Sequence, residues 1–494
     1  MAAQNPLHFR REWDMFAAMQ APRDYPVLDK DLTRIGHAEG AGRIAARPLR
    51  RIGLVLGLAM LALFLAALAG LALPVHPSVV VGFGVAIWLG LNIGANDVAN
   101  SAGPAVGAGA VPVGLALGGV ACAQIAGALI AGQAVTETIA RDILSLGPMG
   151  SGAQPARIMA ASLVGAALWI MLANWARAPV STTHSIIGAV AGAGMSGLGI
   201  GAINWPVLAG IATSWVAAPV ISALLAAALL GLLRRRVHFA PDRARAARFW
   251  LPLLIGLTAA VFSVYIAGVA GEGPKGAGLL LLLAAGPGLA AAGLARWQLE
   301  REIAAGKDHK LALKHLLAGP LVVTGLLSGF AHGANDVANI AGPLSVLLEN
   351  TQGDAPPLSL WVIGLAGLGI AAGSFIFGRR LVRMVGMSIT RLNPVRAFCA
   401  ALAAAATVLA CSALGLPVST THCAVGGIFG VGFYREWEDR RRRKSREALP
   451  VEEIQRRRLV RRSHVWTTLA AWAVTLPGAG CAAAAAHAII ALAA

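Results

Sequence analysis

Two carboxylates lie inside long apolar stretches of this chain, each within the same seven-residue string. The string Gly-Ala-Asn-Asp-Val-Ala-Asn occurs twice, with Asp97 in the first copy and Asp336 in the second. A carboxylate at the centre of a membrane helix costs about 2.5–3.5 kcal/mol, so such residues usually have a function. No lysine or arginine lies close to either one in the sequence. Asparagine oxygens therefore complete the two predicted sites for a coupling cation, Asp97 with Asn100 and Asp336 with Asn339.

A second repeated string, Pro-Val-Ser-Thr-Thr-His, is suited to an anion. It begins at Pro179 and again at Pro417, and proline is favoured in the first turn of a helix. Free N–H groups and hydroxyls at a helix N-terminus can bind an oxyanion, and two facing copies could hold a tetrahedral one. Backbone bonding and helix packing are the alternative roles of these hydroxyls, and helix capping is an alternative for His184 and His422. The residues expected at the anion are Ser181, Thr182, Thr183, Ser419, Thr420, Thr421, Asn96 and Asn335.

The two strings repeat at almost the same interval. Asp336 follows Asp97 by 239 residues (336 − 97), and Pro417 follows Pro179 by 238 (417 − 179). Two long matches at nearly one interval predict a duplicated half, since a solenoid would show more copies at a shorter period.

Glycine and proline around the acidic string predict broken helices. Each copy is rich in glycine and is followed by a Gly-Pro pair, at 103–104 and at 342–343. Both residue types are unfavourable in a helix interior, and broken membrane helices occur where they line a cavity. We therefore expect each acidic segment to break at its Gly-Pro pair and to expose backbone groups to ions.

The composition indicates which elements position these residues. Of 494 residues, 57% are hydrophobic and 13% are charged, whereas soluble domains carry about 25% charged residues. The apolar run 52–73 exceeds the roughly 20 residues that a membrane-spanning helix needs. The sequence predicts an all-α polytopic membrane protein with about 12–13 transmembrane helices. The predicted spans are 52–73, 79–104, 112–133, 157–176, 181–200, 205–233, 249–271, 275–295, 317–345, 359–378, 395–415, 418–434 and 464–491.

The net charge of +18 lies mostly in loops between apolar segments. Basic loops are typical of the cytoplasmic side of a membrane protein, so the charge predicts a lipid bilayer and no nucleic acid as a partner. We expect a multi-pass protein of the inner (plasma) membrane. With the basic loops inside, the segment of Asp97 runs inward and that of Asp336 runs outward. Inverted repeats of this kind are typical of alternating-access transporters.

The same boundaries divide the chain into six predicted regions. Two of them are the repeat halves, and the others are an arm, a linker, a loop and a final helix. They are a cytoplasmic N-terminal arm (1–50), the first repeat half (51–233), a linker region with two transmembrane helices and basic loops (234–316), the second repeat half (317–434), a basic cytoplasmic loop (435–463) and a C-terminal transmembrane helix (464–494).

The paired strings resemble those of the inorganic phosphate transporter (PiT) family. The resemblance covers residues of about 80–434 and includes four motif copies in the family's order. It implies an inverted-repeat membrane bundle, often a homodimer, that takes up inorganic phosphate with a cation. The resemblance also implies that the two asparagine–aspartate strings given above are the family's acidic motif. The two Ser-Thr-Thr strings correspond in the same way to its hydroxyl motif. No cofactor is expected beyond the coupling ion, H⁺ or Na⁺, and a divalent metal that enters bound to phosphate.

Two positions depart from the family pattern. Gln124 and Ala401 stand where sodium-coupled members carry a glutamate in each half, whereas Glu137 matches the pattern. This paired loss favours protons, or phosphate that enters as a neutral metal complex, over sodium. The resemblance covers neither the N-terminal arm nor the final span, so we expect both to lie outside the shared core.

We therefore expect a secondary active transporter that imports phosphate by symport with a cation, through alternating access. A sulfate permease of the same fold and a passive anion channel are the alternatives. An intramembrane hydrolase built on Ser181 and His184, which are three residues apart, is a further alternative. It is disfavoured because the constellation occurs twice and the sequence has neither a GxSxG nor an HExxH motif. We accordingly expect no enzyme and no catalytic residues.

Overall fold

The computed structural model describes residues 77–145, 154–176, 180–269, 276–305, 317–352, 360–389, 394–443 and 462–492, and these ranges are helical apart from short connections. The predicted N-terminal arm and the predicted span 52–73 lie outside the described residues. The helices are α1 (Pro77–Gly107), α2 (Val113–Ala131), α3 (Gln133–Glu137), α4 (Gln154–Ala176), α5 (Thr182–Leu198), α6 (Trp205–Leu233), α7 (Arg243–Val269), α8 (Ala277–Ala305), α9 (Ala318–Asp336), α10 (Ala338–Gln352), α11 (Leu360–Ile389), α12 (Pro394–Ala413), α13 (Thr420–Arg443) and α14 (Arg462–Leu492).

The predicted all-α, multi-pass fold is confirmed. Within the described ranges, nine helices are long and apolar enough to cross a membrane, namely α1, α2, α4, α6, α7, α8, α11, α12 and α14. The predicted spans 181–200, 317–345 and 418–434 correspond to α5, the α9–α10 pair and α13, which do not meet that criterion. Each of these three contains one of the repeated strings: α5 has only 17 residues, the α9–α10 pair is interrupted after Asp336, and α13 ends in a highly charged segment.

The two acidic strings run in opposite directions, as the loop charges predicted. On α1, Gly82 lies against Leu347, and Ser101 lies against Gly325 and His332. Residue numbers therefore rise along α1 while they fall along α9–α10. This antiparallel packing brings the two copies of the string together near the middle of the bundle.

Two close helix crossings relate the halves to each other. A Cβ on Gly94 of α1 would collide with the carbonyl oxygen of Ile370 on α11, and a Cβ on Gly333 of α9 would collide with that of Gln124 on α2. Only glycine lets two helix backbones approach so closely. Because Gly94 and Gly333 are equivalent in the two strings, these crossings make Gln124 and Ile370 equivalent positions. Gln124 and Ala401, which were paired from the sequence, are therefore not counterparts.

The Ser-Thr-Thr strings form the tips of two helical hairpins, α4–α5 and α12–α13, which open toward opposite faces. The base of the first hairpin is closed by Gln154, whose amide donates to the carbonyl of Gly197 at 2.7 Å. Helix α6 begins at that face and ends at the other, where Arg234 pairs with Glu438 of α13 at 2.6 Å. We call this second face the basic face, since Arg234 and Arg435 lie there, and its charge predicts a cytoplasmic location.

The last helix belongs to the repeat, contrary to the expectation from the sequence. On the first hairpin, Gly188 and Gly192 pack against the backbone of α14. On the second, their equivalents Gly426 and Gly430 pack in the same way against the backbone of α6. Helix α14 is therefore the structural counterpart of α6. The relation escaped the sequence comparison because small residues and backbone make both contacts, and neither leaves a motif.

The prediction that the helices break at Gly-Pro was wrong. Helix α1 is continuous with Pro104 inside it, and Pro343 lies inside α10. Proline already has a helical φ and removes a single N–H, and in lipid a helix is favoured because it satisfies the other backbone groups. The second copy is interrupted instead at Val337, directly after Asp336. The first copy has no interruption at the equivalent place.

Candidate substrate and ion site

Each hairpin tip is a helix N-terminus that is capped by its own serine. Ser181 accepts a hydrogen bond from the backbone N–H of His184 at 3.3 Å, and Ser419 accepts one from the N–H of His422 at 3.3 Å. Serine is a favoured N-cap residue because its side chain replaces a missing helical partner. Both predicted tips therefore form, and the capping role falls to the serines and leaves the threonines for other contacts.

The two tips meet in the middle of the protein. The hydroxyl of Thr183 donates to the carbonyl of Val418 at 3.3 Å, although the two residues are 235 positions apart. The rings of His184 and His422 pack edge to face with their centroids 4.8 Å apart. All four residues are buried. The facing arrangement that the sequence predicted for the two strings is therefore present in the structure.

Both aspartates are buried and contact the same hairpin tip. Thr420 donates to Oδ2 of Asp336 at 3.1 Å, and Thr421 donates to Oδ1 of Asp97 at 3.2 Å. Two adjacent residues of α13 thus join carboxylates that are far apart in the sequence. Oδ1 of Asp336 is buried and has no hydrogen-bond partner among the described residues. That oxygen is a free acceptor for a proton, a cation or a donor group on a substrate.

The four asparagines of the two strings have different environments. Asn335 is fully engaged, since its amide nitrogen donates to Ser412 at 3.0 Å and to the carbonyl of Leu416 at 3.3 Å, and its oxygen accepts from the N–H of Val418 at 3.2 Å. It therefore holds the loop that leads into the second tip. Its counterpart Asn96 is exposed.

The other two asparagines lie closer to the tips and the cavities. Asn339 donates to the hydroxyl of Thr183 at 3.4 Å, which connects the second acidic string to the first hairpin. Asn100 is half-buried and borders two small cavities. The structure thus brings both predicted cation pairs to the hairpin tips.

Two adjoining cavities lie between the tips and the basic face. The inner cavity, of about 20 Å³, lies beside Asn100, Ser328, His332 and Thr420. The outer cavity, of about 40 Å³, lies beside Asn100, Pro104 and the alanines of α12. Asn100, Ala401 and Ala424 line both cavities. The small alanine side chains of α12 and α13 leave space where the two cavities adjoin. Roughly 10–15 Å³ of such space holds one water molecule.

Sequence reasoning missed several residues that build this site. The indole of Trp215 packs on the ring of His184 with centroids 3.9 Å apart, and its N–H donates to the carbonyl of Pro417 at 2.9 Å. Ser222 donates to the carbonyl of Cys423 at 2.7 Å. Both residues belong to α6, which reads as a plain apolar span. The sequence shows only that α6 carries a few polar groups within an apolar helix. It does not show which residues those groups contact.

The opposed hairpin tips, the antiparallel acidic helices and the buried polar centre define an inverted-repeat membrane transporter. The chain belongs to the phosphate transporter family, which matches residues 93–483. It is therefore a transporter and not an enzyme, as the sequence predicted.

Three similar proteins support this assignment. A Helicobacter pylori protein named "Putative phosphate permease" is 38% identical over 73% of this chain and 69% of its own length. The Arabidopsis thaliana protein "Inorganic phosphate transporter 2-1, chloroplastic" is 31% identical over 84% of this chain and 78% of its own. A solved structure, "The sodium-dependent phosphate transporter", matches with a TM-score of 0.74 and 28% identity, and the match covers 84% of this chain and all of that one.

Proposed function

We propose that the chain imports inorganic phosphate together with a cation across the inner (plasma) membrane. The observation that carries this proposal is the pair of hydrogen bonds from Thr420 to Asp336 and from Thr421 to Asp97. The same α13 N-terminus that offers donors to an oxyanion also contacts both carboxylates. Protonation of the carboxylates, or a cation bound to them, therefore changes the hydrogen bonds of the residues that bind the anion.

Electrostatics explains why the two ligands must travel together. A potential that is negative inside opposes an entering anion by about 2.3 kcal/mol per charge per 100 mV. Phosphate at neutral pH carries one or two negative charges, and two ionised aspartates would repel it further. Protonation of Asp97 and Asp336, or a cation bound to them with Asn100 and Asn339, removes that repulsion. The serines and threonines of the two tips then hold the oxyanion at the two helix N-termini.

Alternating access follows from the inverted architecture. The hairpins α4–α5 and α12–α13 open to opposite faces and meet at their tips, so rocking of one half against the other exposes the tips to each side in turn. Asn335 sets the loop before the second tip, and for this reason we assign it a positioning role beside its predicted role at the anion. Two copies of the chain form the homodimer that the family resemblance implied.

Proteoliposomes with independently set proton and sodium gradients test the proposal. Uptake of radiolabelled phosphate should depend on one of the two gradients, and added divalent metal tests entry as a neutral metal complex. Uptake that is the same after both gradients are collapsed would instead identify a passive channel.

Sulfate is the second candidate substrate, and the structure gives a reason to rank phosphate first. Oδ1 of Asp336 is a buried acceptor without a partner among the described residues. Protonated phosphate can donate a hydrogen bond to it and sulfate cannot, and a site built for such a bond rejects an analogue that lacks it. Excess sulfate should therefore leave phosphate uptake almost unchanged. Competition as strong as that by unlabelled phosphate would contradict this ranking.

A further inference from the structure

A row of buried polar residues on α9 leads from the basic face to Asp336. Thr324, Ser328 and His332 precede Asp336 at intervals of four residues, and all four side chains are buried. Residues four apart share one helix face, with a drift of about 40° per step, and the row spans about 18 Å. We call Thr324, Ser328 and His332 the polar file.

The first repeat has no such row. The counterparts of the polar file on α1, at the repeat interval of 239, are all apolar and all buried: Val85, Leu89 and Ile93. The backbone crossings of the two helices are equivalent, so packing alone does not require polar residues on α9. Asn92 of α1, the counterpart of Ala331, is a buried polar residue of the other half, but it is a single residue that bonds to its own helix at Trp88. A row of three buried polar residues in one half, opposite three apolar ones, indicates a role that only that half performs.

A hydrogen bond across the halves shows the same asymmetry. Nδ1 of His332 and Oγ of Ser101 are 3.0 Å apart, and both residues are buried. The equivalent positions in the other half are Ile93 and Ile340, which are both apolar. Gln124 is polar where its equivalent Ile370 is apolar, and both polar atoms of its fully buried amide lack a partner among the described residues. Buried polar side chains therefore cluster around the C-terminal end of α9.

Two members of the polar file line the inner cavity, and the third, Thr324, donates its hydroxyl to the carbonyl of Pro320 at 2.6 Å one turn nearer the basic face. Ser328 and His332 line the inner cavity opposite Thr420, which donates to Asp336. The outer cavity continues from Asn100 and Ala401 to Ala397 and Ile428, which lie nearer the ends of α12 and α13 at the basic face. The two volumes are large enough for about one and about three water molecules. Two adjoining volumes that can each hold water therefore lie between the basic face and the hydroxyl that contacts Asp336.

We propose that the polar file and these two cavities form a one-sided proton route between Asp336 and the basic face, with His332 as the titratable relay. The inference rests on the proposed function and names its coupling ion. In the step we propose, protonated Asp336 loses its proton to water in the inner cavity, in contact with the hydroxyl of Thr420. His332 accepts that proton at one ring nitrogen and releases one to water of the same inner cavity, and the proton leaves for the basic face by way of the adjoining outer cavity. The carboxylate that remains is then ready for the next proton.

Several other titratable and charged groups lie on α9 and on the helices packed against it. Asp336 is linked to the cavity of His332 through Thr420, so its charge is the one expected to set the protonation of the ring. The others are Asp97 on α1, Cys122 on α2, Glu137 on α3, Tyr265 on α7, Glu349 on α10, Arg396, Cys399 and Cys411 on α12, and His422, Cys423 and the charged C-terminal end of α13 from Tyr434 onward.

The test separates proton movement from phosphate binding in reconstituted His332→Gln protein. Exchange of internal for external phosphate needs no net proton transfer and should stay within about twofold of wild type. Net proton-driven uptake, and the pH change of a dye trapped in the vesicles, should fall by about tenfold or more, since positioned proton relays contribute at least that much to rate. Equal losses of exchange and of net uptake would assign His332 a structural role and overturn the proposal.

The chain provides a control in a second serine–histidine pair, in which the histidine is buried and the serine is exposed. Nδ1 of His487 and Oγ of Ser196 are 3.1 Å apart, on α14 and α5, away from the polar file. His487→Gln should leave both exchange and net uptake at the wild-type level. A loss of net uptake in this variant as large as in His332→Gln would overturn the proposal.

A second variant keeps the test decisive if His332→Gln does not fold. Ser328→Ala removes only a hydroxyl from the inner cavity and should slow net uptake while exchange persists. If His332→Gln does not fold, unchanged net uptake in Ser328→Ala by itself would overturn the proton route. Wild-type protein that couples phosphate to sodium without acidifying the vesicles would also overturn it, yet would leave phosphate symport intact. Wild-type protein that transports no phosphate would refute the proposed function itself.

Discussion

The two acidic helices share one backbone arrangement but differ in the side chains that surround it. Gly94 and Gly333 make equivalent close crossings, and Asp97 and Asp336 both bond to the α13 tip. Helix α1, however, is continuous, and its counterparts of the polar file, Val85, Leu89 and Ile93, are apolar. Helix α9 ends at Asp336 and carries the polar file. The comparison indicates that duplication preserved the frame that brings the tips together, while function diverged in the polar contacts around it.

The hairpin tips differ in a similar way. The threonines of α13 donate to both aspartates, whereas Thr183 of α5 donates to a backbone carbonyl and accepts from Asn339. In this conformation the second tip holds the carboxylates and the first tip does not. Because the halves are related by inversion, exchange of these roles between the tips is one way in which the opposite conformation could arise.

The largest expected effect comes from the aspartates. Asp97→Asn and Asp336→Asn should each lower phosphate uptake by about 100-fold or more, because each removes a charge that a proton or cation must neutralise. The proteins should still enter the membrane and elute as folded protein in detergent. Uptake of radiolabelled phosphate measures transport, and size-exclusion chromatography checks that the variants are folded. Normal uptake by Asp97→Asn would refute its assignment to the cation site. Different uptake rates for Asp97→Asn and Asp336→Asn would show that the two aspartates have different roles.

The threonines test the asymmetry of the tips. Thr420→Val removes a hydrogen bond to a carboxylate, which is worth about 1.5–3 kcal/mol, so uptake should fall by about tenfold or more. Its counterpart Thr182 is half-buried and bonds to neither aspartate among the described residues. Thr182→Val should therefore cost less. Initial rates of uptake measured on both variants check the difference, and equal losses would indicate that the tips act alike.

The asparagines give the smallest expected effect, and it concerns stability. Asn335→Ala removes three hydrogen bonds and leaves buried partners unsatisfied, which should cost about 1–3 kcal/mol. Asn96 is exposed, so Asn96→Ala should stay within about 0.5 kcal/mol of wild type. Thermal unfolding in detergent measures both. A melting temperature for Asn335→Ala equal to that of Asn96→Ala would contradict the positioning role of Asn335.

The sequence by itself determined the membrane fold, the duplication and the opposite orientation of the two halves. These properties follow from local patterns, namely apolar runs, repeated strings and the charge of loops, which can be seen without knowing any contact. The same patterns located Asp97, Asp336 and the two Ser-Thr-Thr strings. They failed at the Gly-Pro pairs, where a local preference against helix was overcome by the need to satisfy backbone groups in lipid.

Only the tertiary structure decided which groups meet. Thr421 and Asp97 are 324 residues apart, and Ser101 and His332 are 231 apart. No local pattern specifies such partners, because they depend on how helices from the two halves cross. The same reason explains why only the structure showed α14 to be the counterpart of α6, and why the sequence, which predicted Asn335 at the anion, did not reveal that it also holds the loop before the tip. Burial and neighbours distinguish residues that are identical in the two strings.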